Sequence, residues 1–376
     1  MRKPVVVLDA LLVTDKPTGV GRSILELTQA LAASERGLDF RLLVTTEAPF
    51  AYLREAEEWT VVSCPGAVGG TFRKALFTQA RLPRLCRAMG ADVLHSLQFV
   101  APWRVPCANV VTVHDLAWQL FPDTVEQPRR GYYRLLVPAT LRRARAIVVN
   151  SEATARDVRR LHPTTGQITV TPFGTPSWVR QVPLDGGPPD PAGFGERPFF
   201  LFVGTLEPRK NLERLLAAYA LMVEKPGSWP GLLLVGGRGW RDSGLRRRIE
   251  PLREAGHLRV MDYCASDTLG TLYRAARALL FPSLHEGFGF PILEAMALDL
   301  PVMTAGRGAM AEVAGKAALL VDPEDVPAMA RGLALLAGDA ARRAEMVARG
   351  RENAAIWTWE RTAQRTLDVY HSLLHR

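Results

Sequence analysis

The chain has 376 residues, of which 48% are hydrophobic and 23% charged, with a formal net charge of +9. That length exceeds one ordinary hydrophobic core and predicts two domains, while the apolar content excludes a disordered chain. Residues 1–175 hold 22 basic against 15 acidic side chains and the remainder 25 against 23, so the basic excess is mostly N-terminal, which fits an anionic partner or plain solubility.

"MRKPVVVLDALLVTD" opens the chain with a predicted strand over 5–8, interrupted by Asp9. The run is too short to span a membrane and reads as a strand, not a signal peptide. No uncharged apolar run of about 18 residues follows anywhere, so any membrane contact is expected to be peripheral. "DKPTGVGRSILELTQAL" then gives a loop with Gly19 and Gly21 and a helix over 21–33. A Gly-x-Gly that lacks a third glycine or a Gly-Lys-Ser/Thr is a weak phosphate sign, and is as readily a tight turn.

After a strand over 40–44 comes "TFRKALFTQARLPRLCRAMG", where Arg73, Lys74, Arg81, Arg84 and Arg87 alternate with Phe72, Leu76, Phe77, Leu82 and Leu85. The mixture predicts one or two surface helices suited to anionic lipid, or a solvated basic face, with Pro83 breaking or restarting the helix. Strands over 93–95 and 109–114 end in His95 and His114, and Asp115 can orient the second imidazole. Strand ends are where α/β sheets bind ligands, although a lone histidine there is also an ordinary structural residue. Cys64, Cys86, Cys107 and Cys264 show no Cys-x-x-Cys spacing and read as buried thiols of a cytosolic protein.

A strand over 146–150 leads to "VPLDGGPPDPAGFGERP", whose Pro and Gly content marks a linker. The predicted domains are 1–178 and 199–358, joined by 179–198, with a last helix over 359–376 trailing the second sheet. "FLFVGTLEPRKNLERLL" places Thr205, Arg209 and Lys210 between a strand over 199–203 and a helix over 212–223. Two cations there can meet a diphosphate, Arg209 as a fork and Lys210 as a compact charge, or form a solvated turn. Strands over 231–235, 258–261, 278–281 and 301–303 and a helix over 267–277 complete an α/β pattern with parallel sheets.

"FPSLHEGFGFPILEAMALDLP" carries Glu286 on a loop, Gly287 and Gly289 where a ligand can approach the backbone, Pro291 at a helix start, and Glu294 one turn inside. The amides of 287–290 at a helix N-terminus favour an anion, and the carboxylates favour sugar hydroxyls. The stretch also reads as a helix start with one capping and one surface acid. No Asp-x-Asp is present to hold a divalent cation against a diphosphate.

Together, "HEGFGFPILEAMALDLPV", "FVGTLEPRKNL", "DKPTGVGR", "VTVHDL" and "ARAIVVNSEATARDV" resemble, in order over nearly the whole chain, the retaining glycosyltransferases of family 4. The resemblance implies GT-B architecture: two Rossmann-like domains facing across a cleft, the last helix crossing back onto the first. It implies that Glu286 binds the transferred sugar and Glu294 the ribose. Arg209, Lys210 and the backbone near Gly287, Phe288, Gly289 and Phe290 would stabilise the leaving diphosphate, and Thr205, Tyr263 and Cys264 would line the donor site near the base. His114 and the Gly19 backbone would reach the sugar and phosphate.

Thr205 stands where many relatives carry an arginine, and Asp262 where relatives usually show glycine. The "HDLAW" and "GTLEPRKN" runs look most like members that transfer mannose or related hexoses in polysaccharide or lipopolysaccharide assembly. The implied donor is a nucleotide sugar, GDP-mannose first, with UDP- or other nucleotide-linked glucose, galactose, GlcNAc or rhamnose as alternatives. The implied acceptor is a saccharide or polyprenyl-linked saccharide. No metal or other cofactor and no nucleic acid is expected, and the location would be cytoplasmic, peripheral on the inner face of the membrane. A sugar-nucleotide epimerase, a glycoside hydrolase and a basic nucleic-acid binder are the weaker readings.

Overall fold

The computed structural model describes residues 2–15, 17, 19–34, 37–67, 69–122, 129–183, 190–237 and 243–375. The chain divides into one compact unit of Met1–Gly174 with Thr358–Arg376, and a second of Thr175–Trp357. Residues 184–189 of the expected linker lie outside the described residues. The rest of that segment is packed into the second unit, where Phe194 stacks on Phe199 with ring centroids 6.1 Å apart and lies under the guanidinium of Arg259.

Seven strands build the first unit: β1 (Val5–Asp9), β2 (Asp39–Val44), β3 (Trp59–Ser63), β4 (Val93–Ser96), β5 (Ala108–Val113), β6 (Ala146–Val149) and β7 (Gln167–Val170). Their order is β3-β2-β1-β4-β5-β6-β7 and every pairing is parallel. The second unit has β8 (Phe199–Val203), β9 (Gly231–Val235), β10 (Leu258–Met261), β11 (Ala278–Phe281), β12 (Val302–Ala305) and β13 (Leu319–Val321), in the order β10-β9-β8-β11-β12-β13 and again all parallel. Both are Rossmann-like α/β sheets. Central strands such as β1 and β9 are buried along their whole length, which is why they read as unbroken apolar runs.

Strands β3, β7 and β13 were not among the expected elements. All three lie at sheet edges and are only partly covered; β3 and β7 mix polar with apolar residues, and β13 is only three residues long. The expected loop around Gly19 is also corrected. Gly19 is the first residue of the helix Gly19–Ser34, and Gly21 lies in its first turn.

The terminal helix Trp359–Leu374 belongs to the first unit. Trp359 stacks on Phe173 at 5.4 Å, and Thr362 Oγ1 donates to the Pro172 carbonyl at 2.6 Å. A Cβ on Gly174 would lie 2.4 Å from the Trp359 backbone nitrogen, so the approach needs glycine. Deeper in, the hydroxyls of Tyr370 and Thr112 bracket His95, at 2.6 Å from Nδ1 and 2.8 Å from Nε2. Burial, helped by the nearby His114, drives the His95 pKa down from 6.5 to about 3.

Two outcomes are expected. Tyr370→Phe leaves a fully buried ring nitrogen without its partner and costs about 1–3 kcal/mol in denaturant unfolding. Because the folded ring resists protonation and the unfolded ring does not, stability falls as pH drops from about 6.5 towards 3, and His95→Gln flattens that slope. A Tyr370→Phe variant as stable as the parent would show that the helix is held by its apolar face alone.

Candidate active site

In the second sheet β8 and β11 are neighbours, yet the chain visits β9 and β10 between them. Their C-terminal ends therefore form a topological switch point, where the loops after the two strands diverge and leave a crevice. Two bonds knit these loops together and a third ties them to the segment after β13. Leu284 N–H donates to the Arg209 carbonyl at 2.8 Å, and Asn211 Nδ2 donates to the carbonyls of Pro282 at 3.1 Å and Pro323 at 2.6 Å. Asn211 sits at φ 61°, a left-handed conformation that asparagine tolerates, and precedes the helix Leu212–Val223.

The knitted loops bring together Arg209, Lys210 and Glu286. Lys210 Nζ donates to Glu286 Oε1 at 2.6 Å, and Arg209 Nη1 to Glu286 Oε2 at 2.7 Å. Arg209 also reaches the His285 carbonyl through Nη1 and Glu207 Oε1 through Nη2, at 2.7 and 2.6 Å. Lys210 and Glu286 are each only 9% exposed. Burial by itself raises the Glu286 pKa, but the Arg209 and Lys210 charges outweigh it and hold the carboxyl at about 2. For Lys210 burial lowers the pKa, and Glu286 opposes that fall. The cluster is charge-balanced, with two carboxylates against two cations, rather than the bare pair of cations expected.

Glu286 leads through Gly287 and Phe288 into Gly289, which stands at φ 115° and caps the helix Phe290–Ala297. Such a φ is open to glycine at little cost. Phe288 is buried against Phe290 and Trp357, at 5.4 and 5.6 Å between ring centroids. The helix points its N-terminus at the loop, and its dipole favours an anion there. Glu294, one turn in and 5% exposed, accepts from the Tyr273 hydroxyl at 2.7 Å. Thr205 is exposed just after β8. Tyr263, 58% exposed, and the half-buried Cys264 follow β10, two strands away from β8.

Gly19 and His114 lie in the first unit, Gly19 at its helix start and His114 just after β5. His114 is buried between Phe99 and Phe173, with Nε2 3.0 Å from the Leu97 carbonyl, and burial lowers its pKa. Among the described residues no group of three or more His, Cys, Asp or Glu side chains could hold a metal ion.

Sequence reasoning missed Glu207, Asn211 and Tyr273. Glu207 was visible two residues before Arg209 as an acid beside the cations. Tyr273 had no local signal, because its helix, Ser266–Ala275, is separated from Glu294 by β11 and a loop.

Residues 17–176 match the family described as Glycosyltransferase Family 4, and residues 189–353 match Glycosyl transferases group 1. The chain is 31% identical over 284 residues to O-antigen chain mannosyltransferase B of Escherichia coli, an alignment covering 75% of this chain and 74% of that one. Its fold is similar to that of sucrose-phosphate synthase from Thermosynechococcus elongatus, with a TM-score of 0.75 at 24% identity and full coverage of both chains. HepE from Anabaena, solved with UDP and glucose, aligns with a TM-score of 0.69 at 17% identity over 99% of this chain and all of that one.

The buried cluster predicts a non-additive mutant cycle. Glu286→Gln leaves two cations facing fewer carboxylates and should cost about 3–5 kcal/mol of unfolding free energy. Lys210→Met placed on that background should restore part of the loss, since it removes a buried charge that no longer has its partner. Equal and additive losses in urea unfolding would show that the pair is not coupled.

Proposed function

The chain belongs to glycosyltransferase family 4, and from that premise we propose that it transfers mannose from GDP-mannose, with retention and without a metal, to a saccharide or polyprenyl-linked saccharide during cell-surface polysaccharide assembly. The observation that carries this reading is the buried Glu286–Arg209–Lys210 cluster at the switch point, beside the N-terminus of the helix Phe290–Ala297. The choice of mannose leans on the name of the Escherichia coli relative.

As the glycosidic bond breaks, the leaving nucleoside diphosphate gains negative charge. Arg209, Lys210 and the helix N-terminus stabilise it in a buried setting where such contacts are strong. Glu286 has two tasks. It opposes the fall in the Lys210 pKa that burial causes, and beside its contacts with Arg209, Lys210 and Ser283 the carboxylate accepts from a sugar hydroxyl. Glu294, fixed by Tyr273, takes the ribose hydroxyls. Thr205, Tyr263 and Cys264 complete the donor site. His114 contacts the transferred sugar, and the Gly19 backbone the phosphate. The departing phosphate takes the proton of the acceptor hydroxyl.

We also assign peripheral contact with anionic lipid to the segment after β3. It forms two short helices, Thr71–Leu76 and Leu82–Ala88, joined by a π-turn over Phe77–Arg81. Phe77 and Leu82 are core residues and Leu85 packs against the core, so the expected apolar face shrinks to Phe72 and Leu76, which are 81% and 59% exposed. Trp103, whose backbone N–H donates to Gln79 in this segment, adds a further exposed ring. All five cations of the segment are exposed. No described helix is long and apolar enough to cross a membrane.

Three measurements test these assignments. Turnover should persist in excess chelator; a loss above about tenfold that magnesium or manganese restores would reject the metal-free site. Glu286→Gln should mainly lower kcat, whereas Glu294→Gln should raise donor KM about 10-fold and weaken nucleoside diphosphate binding in calorimetry. Equal weakening in both variants would sink that division of labour. Sedimentation with anionic liposomes should decline with rising salt and on replacing Phe72 and Leu76 by Ser. Binding indifferent to both changes would remove this surface from consideration.

A further inference from the structure

The first unit has a switch point of its own. Strands β1 and β4 are neighbours, although β2 and β3 intervene in the chain. Asp9 closes β1 there and is 1% exposed. Unlike Glu286, it has no cationic partner among the described ion pairs. Its Oδ1 accepts from the Leu11 backbone N–H at 3.2 Å, and its Oδ2 from Gln98 Nε2 at 3.0 Å. Burial therefore pushes its pKa up, only partly offset by those two bonds. A buried carboxylate without a counter-ion is costly, so what it holds is informative.

What it holds is the turn leaving β4. Gln98 is gripped by the Asp9 side chain, and the neighbouring Leu97 donates its backbone N–H to the Asp9 carbonyl at 3.4 Å. The carbonyl of the same Leu97 faces His114 Nε2 at 3.0 Å. A carbonyl only accepts, so Nε2 carries the ring proton. Burial keeps the ring neutral, which leaves Nδ1 with a lone pair. Phe99 and Phe173, at 5.8 and 5.9 Å between centroids, fix the plane of the ring. His95 offers no such atom, since Tyr370 and Thr112 occupy both of its nitrogens.

We propose that Asp9, acting through Gln98, is a positioning residue that holds the Leu97 carbonyl against His114 and so fixes the tautomer whose Nδ1 accepts a hydrogen bond from a substrate hydroxyl. This rests on the assignment of His114 to the transferred sugar. It adds a selectivity: a neutral ring with a bare Nδ1 attracts an O–H donor and repels a phosphate oxygen. His114 is thereby reserved for the sugar and not the diphosphate.

The test reads the tautomer directly. Protein labelled with ¹⁵N-histidine is examined by long-range ¹H–¹⁵N correlation, and the His114 ring is assigned among the seven histidines by its loss in His114→Gln. The parent should show a protonated Nε2 and an unprotonated Nδ1. In both Asp9→Ala and Gln98→Met the ring should populate the other tautomer. Their kcat should fall at least about 10-fold, as expected when an orienting partner of a histidine is lost, with nucleoside diphosphate affinity unchanged. Gln98→Met carries the test by itself if Asp9→Ala does not fold. An Nδ1-protonated parent ring, or a ring unmoved in the folded variants, overturns the proposal. A His114→Gln enzyme with normal turnover overturns the sugar-site assignment instead, while the spectra still report on the positioning.

Discussion

A single carboxylate, Glu286, buried between Arg209 and Lys210, sets the terms for the second unit's site. Burial acts on its acid and its lysine in opposite directions, driving each toward its neutral form. Arg209 and Lys210 together hold the acid ionised, and Glu286 opposes the fall of the lysine. The arrangement is therefore conditional: remove one partner and the other is a buried charge with less to face. It also depends on a tertiary feature, because the partners are 76 residues apart in the chain and meet only where β8 and β11 lie side by side. Asn211 secures that meeting with two hydrogen bonds to carbonyls on separate segments and accepts a left-handed backbone to do so.

The first unit has the buried Asp9 at its own switch point and two neutral rings at the ends of β4 and β5. His95 and His114 are kept uncharged by burial; hydroxyls occupy both nitrogens of His95, and the Leu97 carbonyl accepts from Nε2 of His114. The terminal helix supplies one of those hydroxyls, Tyr370, so the last residues of the chain complete a polar core begun by β4 and β5. Buried polar groups of this kind stabilise only when every partner is present. That requirement gives the long return of the chain to its first unit a chemical reason beyond apolar packing.

The comparison of the basic segment after β3 with its sequence pattern shows how periodicity alone can overstate a surface. Five apolar residues alternate with five cations, yet Phe77, in the π-turn Phe77–Arg81, and Leu82, just after it, are buried. Phe77 and Leu82 then join the core around Cys64 and Cys86. Only Phe72 and Leu76, on the helix before that turn, keep their side chains outward.

The sequence by itself determined the α/β class and the central strands, because a parallel strand covered on both faces must be apolar throughout. It also marked Glu286, Glu294, Arg209 and Lys210, since glycine, proline and charge at strand ends leave a local imprint. It did not reveal the edge strands β3 and β7, which mix polar and apolar residues, or β13, which is only three residues long. It placed Gly19 in a loop where the helix Gly19–Ser34 already begins, because a Gly-x-Gly pattern does not distinguish a turn from a first helical turn. Tertiary structure alone decided that Glu286 is an ion-pair partner of the two cations, that Tyr273 fixes Glu294, and that Asp9 and Gln98 brace the turn against His114. Each of these joins residues from different strand ends or helices, and what brings them together is the order of strands in the sheet, which no stretch of neighbouring residues encodes.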